Sequence, residues 1–215
     1  MREIVLKTLR LGFHALLVRP FLIVFLGFNT RNLDRLTATG GAHLVAANHN
    51  SHLDALVLMS LFPLSALHRI RVVAAKDYFC RTRLLEWFSV NIIGIIPIDR
   101  RGGEDPFAPI MQALDRDFTV VIFPEGTRGQ PEQRQPLKNG ISRILQARPE
   151  ITITPVFMYG LGKSLPNGEA LLVPFVCEVN VGEALSWAGD RARLMSLLET
   201  AFVHLKDEIE PSEWL

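Results

Sequence analysis

Five short runs rich in valine and isoleucine, His43–Ala47, Arg71–Ala75, Ile92–Ile98, Thr119–Phe123 and Ile151–Met158, recur along the chain with stretches of helical periodicity between them. Such alternation builds a mainly parallel or mixed sheet flanked by helices, because parallel neighbours need a crossover long enough to hold a helix. The expected fold class is therefore α/β. Helices are predicted at Asp54–Leu61, Cys80–Ser89, Pro106–Arg116 and Lys138–Arg148, with Pro106 suited to a first turn and Pro149 to a position past a helix end. Leu171–Val181 reads as a further strand or bent pair in which Pro174 marks an edge. From Asp190 onward, Leu194, Leu197, Leu198, Ala201, Phe202, Leu205 and Ile209 keep helical spacing, which predicts an amphipathic packing helix. In 215 residues no Gly/Ser/Pro-rich linker appears, so one catalytic domain is expected over residues 36–215, behind an N-terminal segment, residues 1–35.

That segment holds much of the apolar excess of a chain that is 48% hydrophobic. Leu11–Val18 and Phe21–Phe28 are apolar pieces separated by Arg19-Pro20, where proline removes a backbone donor. A straight span would hold Arg19 near mid-bilayer at a cost of about 2.5–3.5 kcal/mol, whereas a bent helical pair lying in one leaflet lets it reach the head groups. A monotopic anchor is expected, without the small-x-small site of a signal peptide. Arg2, Lys7, Arg10, Arg31 and Arg35 flank it, and such cations favour the cytoplasmic face of the inner (plasma) membrane. The plainer alternative is a buried helix pair whose cations are merely solvated.

A formal charge of +1 and the lack of any RNP, zinc-finger or heptad signature argue against a nucleic-acid partner. Cys80 and Cys177 lie outside any metal spacing and read as small buried hydrophobes in a reducing compartment.

Chemistry concentrates in three places. His49 and Asp54 bracket four residues at the edge of an apolar run, a spacing at which a carboxylate can orient an imidazole as a general base. Ser51 and Asp54 equally fit a helix capping box, in which Asp54 would only satisfy backbone donors. Gly94–Arg101 and Phe123–Arg128 each begin in or just after a β-branched run and end in a cation. Guanidinium groups suit phosphate oxygens; a solvated charge at Arg100, or a salt bridge from Arg128 to Glu132, is the bland alternative. Ligands in open α/β sheets gather outside the carboxyl ends of the strands, so motifs that each follow a predicted strand are expected to converge on one cleft.

His49 and Asp54, the block ending at Arg100, the block Phe123-Pro124-Glu125-Gly126-Thr127-Arg128 and the looser Thr154-Pro155-Val156-Phe157 together resemble, in this order, the blocks of the glycerolipid acyltransferase family. The resemblance implies a membrane-associated O-acyltransferase. Its donor would be an acyl thioester, acyl-CoA or acyl carrier protein, and its acceptor the free hydroxyl of a lysophospholipid. That acceptor is 1-acylglycerol-3-phosphate by default, giving phosphatidic acid, with lyso-ornithine lipid or another lysophospholipid as alternatives. By the same resemblance His49 and Asp54 are catalytic, and Arg100, Glu125, Gly126, Thr127 and Arg128 bind the acceptor. Lys76, in an Ala-Lys pair before a helix, and Lys138, one lysine where the family often has two basic residues, are further phosphate candidates; a surface lysine is the alternative for each.

Thiolate leaves readily, so His49 would need no enzyme nucleophile to help it, and neither Ser51 nor Ser142 sits in a Gly-x-Ser-x-Gly elbow. No metal and no cofactor are expected. His52 is read as turned away from His49, and His14, His43, His68 and His204 as structural. Two rivals remain at this level: a metal-dependent hydrolase on His49, His52 and Asp54, which lacks further ligands, and a non-catalytic lipid-binding module.

Overall fold

The computed structural model describes residues 1–37, 41–51, 53–99, 105–126, 135–161 and 175–209. The apolar N-terminus forms helix α1, Arg2–Phe13, which runs through a π turn, His14–Val18, into α2, Arg19–Phe25. The predicted break at Arg19-Pro20 is thus a wide turn rather than an interruption. The backbone N–H of Arg19 reaches His14, and Pro20 occupies the first turn of α2, where its missing donor costs little. The helix from Glu3 to Phe25 is long and apolar enough to cross a membrane by length and composition.

The second apolar piece, Phe21–Phe28, divides. Helix α2 ends at Phe25 and Leu26–Arg31 becomes strand β1, followed by the short helix α3, Asp34–Thr37. Next come β2, His43–Ala47, and α4, Asp54–Leu61, both with the predicted bounds. A 3-10 turn, Leu64–Arg69, leads into β3, Ile70–Ala75, then α5, Lys76–Phe79, and α6, Arg83–Phe88. A second π turn, Ser89–Ile93, carries α6 into territory expected to be strand. Gly94, at φ +93°, ends it, so β4 is only Ile95–Ile98. The rest are α7, Ala108–Leu114; β5, Thr119–Ile122; α8, Gly140–Ala147; β6, Ile153–Tyr159; β7, Phe175–Val181; and α9, Arg191–Ile209.

The strands form one seven-stranded sheet in the order β1-β7-β6-β2-β5-β3-β4. Five neighbouring strands from β6 to β4 run parallel, and β7 turns antiparallel to β6 with β1 parallel to it at the edge. Pro174 precedes a strand that is internal, not an edge, because β1 covers it. Pro155 is tolerated inside β6 because it lies between the β6–β7 ladder, which starts at Val156 with Val181, and the isolated bridge of Ile153 with Leu185. Along β2 the side chains alternate between two cores. Val45 and Ala47 pack toward the N-terminal helix and α4, Leu44 and Ala46 toward α7, α8 and α9. Cys177 is buried as expected, while Cys80 is only half-buried.

The N-terminal cations depart from expectation. Arg10 is buried and donates to the carbonyls of Ile70 and Ile93, and Arg19 donates to those of Ser60 and Phe62 instead of reaching outward. Arg31 donates to the Glu208 carbonyl and Arg35 pairs with Glu183. Several of these cations therefore tie the segment to the fold, their guanidinium groups replacing water for carbonyls at element ends.

Candidate active site

Strand β2 is buried along its whole length and stops at Ala47, leaving the chain to turn across the carboxyl end of the sheet. Asn48 governs that turn. Its side-chain amide donates to the Met158 carbonyl and accepts from the Met158 N–H, both at 2.8 Å. The β2–β6 ladder ends at Ala47 with Val156, so the amide takes the place of the next peptide group and holds the following residue at a fixed height.

That residue is His49. Its Nδ1 lies 2.8 Å from Asp54 Oδ2, and a carboxylate oxygen can only accept, so Nδ1 carries the hydrogen and, in the neutral ring, Nε2 keeps a lone pair. The same Asp54 oxygen accepts from the backbone N–H groups of Asn50 at 2.7 Å and Ser51 at 2.9 Å. Both readings of this carboxylate therefore hold at once: it satisfies backbone donors ahead of α4 and it orients the imidazole. Asp54 is 1% exposed, so the pair is shielded from water on the acid side. On the other side the His49 ring stacks on Phe123 with centroids 4.2 Å apart and planes 20° off parallel. Ring and carboxylate leave the imidazole a single orientation.

His49 borders a cavity of about 640 Å³ at the carboxyl ends of β2, β3, β4 and β5. Its walls are mostly apolar, among them Val73, Ile98, Ile110, Ile141 and Ile144, with Asp77, Asp99 and Lys138 as charged members. Gly126 and Lys138 both line it and touch. Gly126 has φ +74°, its N–H bonds the Phe123 carbonyl at 3.0 Å, and the Lys138 N–H bonds the Pro124 carbonyl at 2.8 Å. The glycine lets the loop turn sharply and lets the lysine stem lie against bare backbone.

The structure brings parts of all three motifs to this cavity, His49 with Asp54 behind it, Ile98 and Asp99, and Phe123 with Gly126, and Lys138 joins them. Glu125 is buried at 3% exposure, beside the cavity-lining Pro124 and Gly126. Lys76 opens α5 at the same end of the sheet but is exposed and does not line the cavity, whereas its neighbours Ala75 and Asp77 do. Arg100, Thr127, Arg128 and His52 lie outside the described residues. Two contributors escaped sequence reasoning, Asn48 and Phe123. Phe123 opens a quoted block and Asn48 directly precedes His49, yet a tie to Met158 and a stack on His49 are long-range facts that spacing does not carry.

The other histidines have structural surroundings. His43 is buried between the hydroxyls of Thr152 and Thr154, each 2.9 Å away, and burial pushes its pKa down to about 4. His14 is buried in the first π turn, His68 contacts the Ser65 carbonyl, and His204 contacts Glu208 one helical turn on.

Residues 27–159 match the model of the acyltransferase family. A chloroplastic 1-acyl-sn-glycerol-3-phosphate acyltransferase of Arabidopsis thaliana is 26% identical over 147 residues, covering 67% of this chain and 39% of the plant protein. The human 1-acyl-sn-glycerol-3-phosphate acyltransferase alpha is 27% identical over 145 residues, 65% of this chain and 48% of its own length. The alignment thus spans less than half the length of either relative. The crystal structure of the 1-acyl-sn-glycerophosphate acyltransferase PlsC from Thermotoga maritima superposes with a TM-score of 0.75 at 18% identity, covering 99% of this chain and 83% of that one.

Proposed function

The chain belongs to the acyltransferase family, and from that premise we propose that it transfers a fatty acyl group from an acyl thioester to the free hydroxyl of a lysophospholipid. The observation that carries this reading is the His49–Asp54 pair opening on an apolar cavity with a cation at its edge. His49 Nε2 takes the acceptor's hydroxyl proton as that oxygen attacks the thioester carbonyl carbon, and Asp54 steadies the imidazolium that forms. The tetrahedral centre then collapses, the carbon–sulfur bond breaks, and the proton passes from His49 to the departing thiolate. Ester and free thiol are the products, with every proton accounted for and no covalent enzyme intermediate.

The apolar walls suit an acyl chain, and Lys138 beside Gly126 suits an acceptor phosphate. The family likeness adds Arg100, Glu125, Thr127, Arg128 and Lys76 to the acceptor side, with Glu125 either holding the loop after β5 or contacting the acceptor's hydroxyl. The acceptor is 1-acylglycerol-3-phosphate, in keeping with the activity for which the relatives above are named, and the donor is acyl-CoA or acyl-acyl carrier protein. The apolar helix from Glu3 to Phe25 supports attachment to a membrane, with the cytoplasmic face of the inner membrane as the side where such thioesters are available.

The test is a transfer assay with labelled acyl thioesters and a panel of acceptors: 1-acylglycerol-3-phosphate, other lysophospholipids, lyso-ornithine lipid and glycerol phosphate. His49→Ala should abolish transfer, and Asp54→Asn should lower kcat by orders of magnitude with the fold intact. Turnover surviving in His49→Ala would end the general-base assignment, and a preference for an uncharged acceptor would end the phosphate reading.

A further inference from the structure

Helix α6 and the π turn after it present a largely apolar outer face, an uncommon arrangement for a surface met by water. Facing inward they bury Ser89, whose hydroxyl has no hydrogen-bond partner among the described residues, together with Ile92. Facing outward they carry Leu84, 78% exposed, with Leu85, Trp87 and Val90. The N-terminal helix likewise has a broad apolar outer face, although it also buries Val18 and Leu22. Arg10 and His14 are buried while Leu9, Leu16, Leu17, Ile23 and Val24 point outward. A helix on a water-facing surface does the reverse, whereas a helix against lipid turns its polar groups toward protein.

The two elements lie side by side. The rings of Phe13 and Phe88 meet edge to face at 5.2 Å, and Arg10 reaches the Ile93 carbonyl at the end of the α6 π turn at 3.0 Å. We infer that α5, α6 and this π turn bed into the bilayer interface beside the N-terminal helix, so that the catalytic domain itself, and not its leading helix alone, touches lipid. This inference rests on the membrane-associated acyltransferase proposed above.

Lipid, rather than a second copy of the chain, is the occupant that the surrounding residues fit. Tyr78 and Trp87 are exposed, and both are aromatic side chains with a polar tip, the kind that settles at head-group depth. Lys76, Arg81 and Arg83 are exposed on the same segment and outnumber its acids, Asp77 and Glu86, by one, which matches an anionic leaflet. Tyr78 is also a wall of the cavity, so bedding this segment brings the cavity's edge to the surface where a lysolipid resides.

The full chain carrying Trp187→Phe and Trp214→Phe leaves Trp87 as the only indole. It is mixed with vesicles of phosphatidylcholine containing a minority of phosphatidylglycerol, with plain or brominated acyl chains. Trp87 emission should shift to the blue on plain vesicles and lose more than half its intensity on brominated ones. Unquenched emission from protein that floats with the vesicles overturns the inference. As a second arm with the native indoles, Leu84→Asp with Trp87→Asp should weaken vesicle partitioning about tenfold or more while transfer between detergent-dispersed substrates is unchanged. Partitioning equal to the parent chain, or concentration-dependent dimers without lipid that the double substitution abolishes, counts against it. Quenched Trp87 in a chain that transfers no acyl group would sink the acyltransferase reading alone; transfer with unquenched Trp87 would sink this one alone.

Discussion

The Lys138 side chain lies across Gly126 so closely that a β-carbon on the glycine would come within 2.6 Å of the lysine Nζ. The glycine's φ of +74° adds a second constraint, because an L side chain there costs about 1–2 kcal/mol. Gly126→Ala should therefore both strain the loop after β5 and push the ammonium off the cavity edge. Lys138→Met keeps the aliphatic stem and deletes only the charge. In the transfer assay it should raise KM for a phosphorylated acceptor by roughly tenfold or less, about 1 kcal/mol, since the lysine is largely exposed. An unchanged KM would remove Lys138 from acceptor recognition.

Asn48 acts through His49 and is a positioning residue. Asn48→Ala would leave the buried N–H and carbonyl of Met158 without partners, at about 1–3 kcal/mol for each group. Asn48→Asp is the sharper variant, because it keeps an acceptor for the Met158 N–H and sets a second acceptor against the Met158 carbonyl. Both should lower kcat well beyond any change in KM, with Asp no better than Ala, and Asn48→Gln should fail to rescue because its amide sits one methylene too far out. Equal losses in kcat and stability-corrected enzyme amount would reduce Asn48 to a purely structural contact.

Much of this fold was readable where local pattern and burial coincide. Strand β2 and helix α4 have the bounds their sequences predict, since β2 is a buried apolar run that stops at Asn48 and α4 an apolar run that opens on Asp54 and ends just ahead of Pro63. Strand β1 was not readable. Only Leu26 of its six residues is buried, so it shows no alternation, and it exists because it pairs with β7 about 150 residues later. Ile92 and Ile93 looked like strand because both are β-branched, but they continue α6 as a π turn, just past Phe88, whose ring packs on Phe13 from far along the chain. At the site, spacing revealed His49 and Asp54 because they are five residues apart. It could not reveal Asn48, whose partner is 110 residues away.

His43 makes a pH prediction. Its pKa in the folded protein, about 4, lies below the ordinary 6.5, because burial disfavours the imidazolium. Between those values the unfolded chain binds more protons than the folded one, so stability rises with pH and falls as pH drops from about 6.5 toward 4. The full contribution is on the order of 3 kcal/mol. His43→Gln keeps polar atoms for Thr152 and Thr154 but cannot titrate, so its urea midpoint should fall less between pH 7 and pH 4.5 than that of the parent chain. Parallel curves for the two proteins would show that His43 protonation is not what weakens the fold in acid.

Gly94 and Arg10 form the other sharp dependency, at the seam between the N-terminal helix and the sheet. Arg10 Nη2 donates at 2.7 Å to Ile70 and 3.0 Å to Ile93, and its guanidinium fills the space that a side chain on Gly94 would need. Gly94→Ala should cost more than the ordinary 1–2 kcal/mol of a left-handed alanine, because it also displaces a buried cation from two carbonyls. Arg10→Ala alone should cost several kcal/mol by orphaning those carbonyls. Once the arginine is gone, however, the alanine at position 94 no longer meets the three atoms that would crowd it most, so the double variant should be more stable than the sum of the two losses predicts. Strict additivity in chemical denaturation would mean that the guanidinium does not press on Gly94 in solution.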